Sequence, residues 1–191
     1  TGARAACRAV VDAVRLWGGY SDAPPDLLLR TIHSLWNIRV HAVGRDESAT
    51  TCLFAVATAD GRILLGQLGD GLVMLKTPNG TTTLEPPADR FGNATTGLGI
   101  ASDVREWRLH LEPHFTGTAS ILLATDGVAD DLVPEKRADF LHFLVSEYGP
   151  RPAAARARAI AKELRDWPTP RHRDDKTLAV LWSNPMMEAS P

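Results

Sequence analysis

The chain has 191 residues, 44% hydrophobic and 23% charged, with 21 basic against 23 acidic side chains. That size and composition fit one globular domain able to bury about 70% of its unfolded surface, and they exclude intrinsic disorder. A net charge of −2, no run near the ~18 apolar residues of a membrane span and no opening signal peptide argue against nucleic-acid or membrane partners.

The first element is a helix over residues 3–17, where Ala3, Ala6, Cys7, Val10, Val14 and Trp17 recur at steps of three and four. Gly18-Gly19 stops it. Pro24-Pro25 opens a second helix whose buried face is marked by Leu28, Ile32, Leu35, Trp36 and Val43, with Gly44 as its cap. Residues 51–58 and 62–68 then read as a hairpin turning at Ala59-Asp60-Gly61. A third strand over 72–76 and a Thr-rich segment over 81–84 are joined at Pro78-Asn79-Gly80. The unbroken apolar run from Leu53 to Ala57 predicts a strand covered on both faces.

Residues 86–98 are polar and aperiodic, as a surface loop would be, and 104–111 alternate as a strand with one wetter face. A buried strand over 119–125 ends at Asp126-Gly127. Helices over 134–148 and 152–167 follow, each with proline in its first turn, and 177–182 form a last buried strand before a flexible tail over 184–191. The pattern is α+β with grouped helices, and one domain over 1–183 with no internal linker. Both cysteines, Cys7 and Cys52, lie on apolar stripes and read as small core residues. Two are too few for a disulfide framework and point to a reducing, cytoplasmic setting. Only four basic residues are lysine, a bias expected of a GC-rich bacterial genome.

The chemistry lies in carboxylates at the ends of apolar strands. Asp70 follows one in Leu68-Gly69-Asp70-Gly71. Asp126 follows another in Thr125-Asp126-Gly127, with Asp130 four residues on, and Asp174-Asp175 precede the last strand. Singly, each is a favoured strand-end turn. Converging together, they would repel unless a divalent cation neutralised them, and an all-oxygen site suits Mg²⁺ or Mn²⁺. Two such ions would activate water for hydrolysis of a phosphate ester.

The phrases LGDG at 68–71, LLATDGVADDL at 122–132 and DDKTLAVLW at 174–182 resemble the GD, DGxxD and D-N/D-x-T motifs of the metal-dependent PP2C (PPM) serine/threonine phosphatases, in that family's order. Residues 49–71 also resemble its central hairpin, and TGARAACRAVVDAV resembles the helix after its first Asp-Gly motif. The resemblance, closest to bacterial stand-alone members, implies an α-β-β-α sandwich of two antiparallel sheets flanked by helices, here lacking its N-terminal strands. It implies a monomer that hydrolyses phosphoserine and phosphothreonine in protein substrates with a binuclear Mg²⁺ or Mn²⁺ centre, a third ion being possible in the family. Asp126 and Asp174 match ligands of the two main ions, and Asp70 and Asp130 match a weaker further site. Gly69 and Gly127 serve the turns, and Asp175 takes the place of a frequent Asn. The family's first acidic and Asp-Gly motifs, its phosphate-gripping arginine and its general-acid histidine precede the position where this chain begins. The resemblance therefore leaves about half of a metal site here, and none of the six histidines matches the missing one.

Other chemistries fail on spacing. A cysteine phosphatase needs Arg six residues after Cys, where Ala13 and Thr58 stand. Gly97-x-Gly99 is followed by Ser102, and neither a Walker loop nor HExxH occurs. His172 near Asp174 reads as solvated, and the five tryptophans read as core or core edge. The alternatives to a general protein phosphatase are a catalytically inactive relative kept for binding or regulation, and a phosphatase of the same fold acting on an anti-sigma antagonist or other signalling partner.

Overall fold

The computed structural model describes residues 2–18, 23–58, 60–84, 96–101, 103–113, 115, 117–168 and 174–183. Helices α1 (Gly2–Gly18) and α2 (Pro25–Val40) come first, followed by strands β1 (Cys52–Ala57), β2 (Ile63–Leu68), β3 (Leu72–Thr77) and β4 (Gly80–Leu84). Strands β5 (Arg108–Glu112) and β6 (Ser120–Ala124), helices α3 (Asp126–Ala129), α4 (Arg137–Tyr148) and α5 (Ala153–Arg165), and strand β7 (Leu178–Trp182) complete the order. The class is α+β, as expected, with two antiparallel sheets ordered β1-β2-β5 and β4-β3-β6-β7. The chain divides into two compact units, residues 1–70 with 84–115, and 71–83 with 116–191.

In the first unit, α1 and α2 cover one face of the three-stranded sheet. The buried stripe of α1 is Ala6, Ala9, Ala13 and Trp17. Small residues there let α2 approach closely and seat Leu28, Leu29, Ile32 and Trp36, which have almost no exposed surface. Full burial of such large side chains contributes about 1.5–3 kcal/mol each. The helix is therefore rotated from the expected stripe: Ala3 and Cys7 face solvent, while Cys52 is buried and burial pushes its thiol pKa up to about 12. Helix α2 ends at Val40, and Val43 is exposed. Gly44 closes the following turn by donating to the Val40 carbonyl at 2.9 Å.

Strand β2 is buried along its whole length because it lies between β1 and β5. Strand β1 was expected to be covered on both faces and is not. Cys52, Phe54 and Val56 are buried while Leu53 and Ala55 are only half-buried, since among the described residues β1 pairs with β2 alone and the helices pack on one side of it. The expected strand over 104–111 also starts later. Residues 104–106 form a 3₁₀ turn, because the Asp103 carboxylate accepts from the Arg105 amide at 2.8 Å and Glu106 accepts from the Asp103 amide at 3.2 Å. This reciprocal cap outweighs the alternating pattern. The surface loop expected at 86–98 lies outside the described residues up to 95. Its end is buried at Thr96 and Leu98, where Leu98 bridges to Thr50.

In the second unit, α4 packs on β6 and β7 over a core of Leu72, Met74, Leu122, Val128, Leu141, Leu144 and Tyr148. Strand β7, expected to be buried, alternates instead. Leu178, Val180 and Trp182 are half-buried, and Ala179 and Leu181 are exposed at this sheet edge. The expected helices at 134–148 and 152–167 appear as α4 and α5, the first preceded by a 3₁₀ turn at Pro134–Lys136. The tail over 184–191 lies outside the described residues. Among the described residues no helix is long and apolar enough to cross a membrane.

One polar contact in the first unit titrates. The Trp107 indole N–H donates to His33 Nε2 at 2.9 Å, which requires that nitrogen to be unprotonated. Burial, then the nearby Arg45 charge, lowers the His33 pKa from its ordinary 6.5, with Glu106 opposing. As pH falls, the unfolded chain takes up this proton before the folded one does. The contribution is thus fully present above about pH 6.5 and is lost as pH drops toward the lower folded-state value. Urea unfolding should have a lower midpoint at about pH 5.5 than at about pH 7.5, and His33→Gln should remove part of that difference. An unchanged difference in the variant would sink the assignment.

Candidate metal centre

Two strand ends in the second unit carry the acidic motifs, and the sheet register brings them together. Strands β6 and β7 pair antiparallel, with Ala124 opposite Leu178, so the residues after β6 meet those before β7. The ladder continues past the strands. The Thr125 amide donates to the Thr177 carbonyl and the Thr177 amide donates to Thr125 Oγ1, both at 3.0 Å. Thr125 Oγ1 also lies 3.2 Å from the Asp175 carbonyl. One hydroxyl thus serves as donor and acceptor at the point where the two motifs touch.

Beyond Thr125 the chain turns into α3, a single helical turn that begins at Asp126. Gly127 is buried against the other motif. A Cβ at this position would sit 2.6 Å from the Asp175 carbonyl oxygen and 3.2 Å from the Asp174 Cβ. No side chain fits there, so backbone meets backbone and the Asp126 and Asp174 residues are held side by side. The half-buried Asp126 carboxylate accepts from the Gly127 amide at 2.8 Å, while Asp174 and Asp175 are exposed.

Asp130 closes the α3 turn by donating its amide to the Asp126 carbonyl at 2.9 Å. Its exposed side chain lines a groove with Asp131, Leu132, Val133, Trp167 and Pro168. Asp174 and Asp175 line an adjoining depression with Leu164, Arg165 and Lys176, and Trp167 lines both. Asp70 belongs to the first unit, in the turn after β2. Gly69 there has φ +97°, and a Cβ on it would meet Thr51 Cγ2 at 2.5 Å and the Thr96 carbonyl at 2.7 Å.

The fit to a divalent cation follows from this donor set. Carboxylates are hard oxygen ligands, and small divalent ions commonly use one or two of them, with water and phosphate oxygens completing the shell. Asp126 and Asp174 supply donors of that kind on two segments that meet at Gly127. Among the described residues no group of three or more His, Cys, Asp or Glu side chains is gathered at one point. Sequence reasoning missed Thr125, the hydroxyl that ties the motifs together. Its signal was a polar residue, between the strand and the Asp-Gly, with a second threonine at 177.

Residues 1–167 match the family described as Protein phosphatase 2C. No curated protein shows significant similarity to the chain. Among solved structures, the catalytic domain of the serine/threonine protein phosphatase PstP in complex with two manganese ions is similar at TM-score 0.56 and 20% identity, over 93% of this chain and 79% of that one. The Mycobacterium tuberculosis serine/threonine phosphatase PstP/Ppp gives TM-score 0.54 at 18% identity, over 93% and 80%. The photosystem II phosphatase PBCP gives 0.53 at 14% identity, over 84% and 58%. At these identities the likeness establishes the fold.

The contact at Gly127 is directly testable. Gly127→Ala should lower stability by about 1–3 kcal/mol, because the new methyl cannot be accommodated against the Asp175 carbonyl. Thr125→Val should cost about 1 kcal/mol or somewhat more, since it strips a partner from the Thr177 amide. Urea unfolding measures both, and a neutral Gly127→Ala would contradict the contact.

Proposed function

Because the chain belongs to the protein phosphatase 2C family, we propose that it is a divalent-cation-dependent phosphatase acting on phosphoserine and phosphothreonine in proteins. The observation that carries this reading is the family match over residues 1–167. The two manganese ions in the PstP catalytic domain support a divalent cofactor, Mg²⁺ or Mn²⁺. Residues 1–183 are read as one phosphatase domain.

Asp126 and Asp174 would hold the metal, and Asp130 in the second unit and Asp70 in the first are each proposed as ligands of weaker further binding. When bound, such an ion supplies charge neutralisation for the phosphate and a way to generate hydroxide at neutral pH. The chain's own contribution is geometric. Gly127 keeps the two motifs in backbone contact, the Gly127 amide orients the Asp126 carboxylate, and the Thr125 hydroxyl locks the Asp174–Thr177 segment to the end of β6. Lys176, whose ammonium lies 3.2 Å from the Asp174 carbonyl oxygen, steadies the same segment.

The test is Mn²⁺-dependent hydrolysis of an aryl phosphate and of a phosphothreonine peptide by the full-length protein. Asp126→Asn and Asp174→Asn should each abolish turnover while the unfolding midpoint stays close to wild type. A folded wild type that is inert with every divalent ion would identify a non-catalytic relative that kept the fold for binding or regulation.

A further inference from the structure

Where the start of α1 meets the end of α2, within the first unit, the walls of a groove include Ala3, Arg4, Arg8, Arg39, Val40 and Val43. Its charge is one-sided, since three guanidiniums and no carboxylate line it. Asp12, one turn beyond Arg8, is already committed: its carboxylate pairs with Arg39 at 2.5 Å and with Arg15 at 3.4 Å. Asp46 and Glu47 stand exposed in the 3₁₀ turn that packs against α1. Among the described residues no carboxylate pairs with Arg4 or Arg8, both of which are exposed. The two lie one helical turn apart on the same face, where like charges repel, so their placement is unfavourable until an anion joins them.

Apolar surface adjoins these charges. Val40 is buried in the groove wall, and Val43, just past the end of α2, keeps 45% of its surface exposed. Guanidinium forks match carboxylates in geometry, and an exposed valine beside them offers contact to an aliphatic side chain. We propose that this groove docks an acidic segment of a partner protein, one that carries aliphatic residues among its carboxylates. A nucleic acid fits less well: the chain's net charge is −2, and the arginines bound a short groove rather than a stripe. The inference stands apart from the phosphatase reading, because none of these residues belongs to the acidic motifs.

Fluorescence anisotropy of a labelled peptide with leucines set among glutamates, titrated with the full-length protein, tests this. Binding should weaken as salt rises. Arg8→Glu should weaken it by on the order of 10-fold, since a charge-assisted contact becomes a repulsion, and adding Arg4→Glu should weaken it further. Arg15→Glu makes the same change of charge on the same helix outside the groove, and should leave binding nearly unchanged. Val43→Ser should weaken the leucine-bearing peptide but not a polyglutamate of equal charge. All four positions are exposed, and matched unfolding midpoints check that the variants stay folded. A wild type that does not bind the peptide overturns the proposal, and so does equal loss of binding in Arg8→Glu and Arg15→Glu. Polyglutamate binding as tightly as the leucine-bearing peptide would reduce the groove to a general anion patch and overturn it as well. Tighter binding of a single-stranded oligonucleotide of equal charge would overturn the choice of a protein partner.

Discussion

Asp126-Gly127 and Asp174-Asp175 lie 48 residues apart in sequence and touch through a glycine that has no room for a methyl group. The rest of the candidate centre depends on that contact. It sets the spacing between the strand that ends before the Asp-Gly motif and the strand that begins after the Asp-Asp motif. It leaves the Thr125 hydroxyl in reach of both Asp175 and Thr177. Two carboxylate-bearing segments can be neighbours only if their backbones can approach, and here the absence of one side chain permits it. The sheet beneath supplies the rigidity: β6 pairs with β3 on one side and β7 on the other, so its end cannot drift.

The same economy recurs in the first unit with different chemistry. The turn that presents Asp70 is held by hydrogen bonds to one carbonyl rather than by backbone contact, and the donors come from neighbouring strands. The buried Gln67 places its amide Nε2 on the Gly69 carbonyl and so ties the interior of β2 to the turn that follows. The contact between Trp107 and His33 plays a comparable part for α2 and the segment before β5, at the expense of sensitivity to acid. In each case a polar group at the margin of an apolar core fixes the direction of a loop that the core alone would leave free.

Much of this was legible in the residues. The proline and glycine punctuation located both N-terminal helices and both late ones, and the motif spacing pointed to the family that residues 1–167 match. Most of the departures share one physical cause: apolar character does not by itself mean burial. Cys7 is apolar and exposed because α1 presents Ala9 and Ala13 to α2 instead, and helix rotation is set by what the partner helix needs. Strands β1 and β7 carry apolar runs, but among the described residues each is the last strand of its sheet and one face of each is less covered. The turn at 104–106 follows from a cap between Asp103 and Glu106, a pair readable in the sequence but outweighed there by the alternating pattern.

By itself, the sequence determined the element order, the α+β class, the acidic motifs and the glycines beside them, because periodicity, turn chemistry and motif spacing are local properties of the chain. Which acidic residues become neighbours is not local. The antiparallel pairing of β6 with β7 brought Gly127, next to Asp126, against Asp174 and Asp175, while Asp130 lines a groove with Asp131, Leu132 and Trp167. The roles of Thr125 and Gln67 likewise emerge only in three dimensions. A hydroxyl, an amide or a guanidinium has no assigned partner until the fold brings an acceptor within hydrogen-bonding reach.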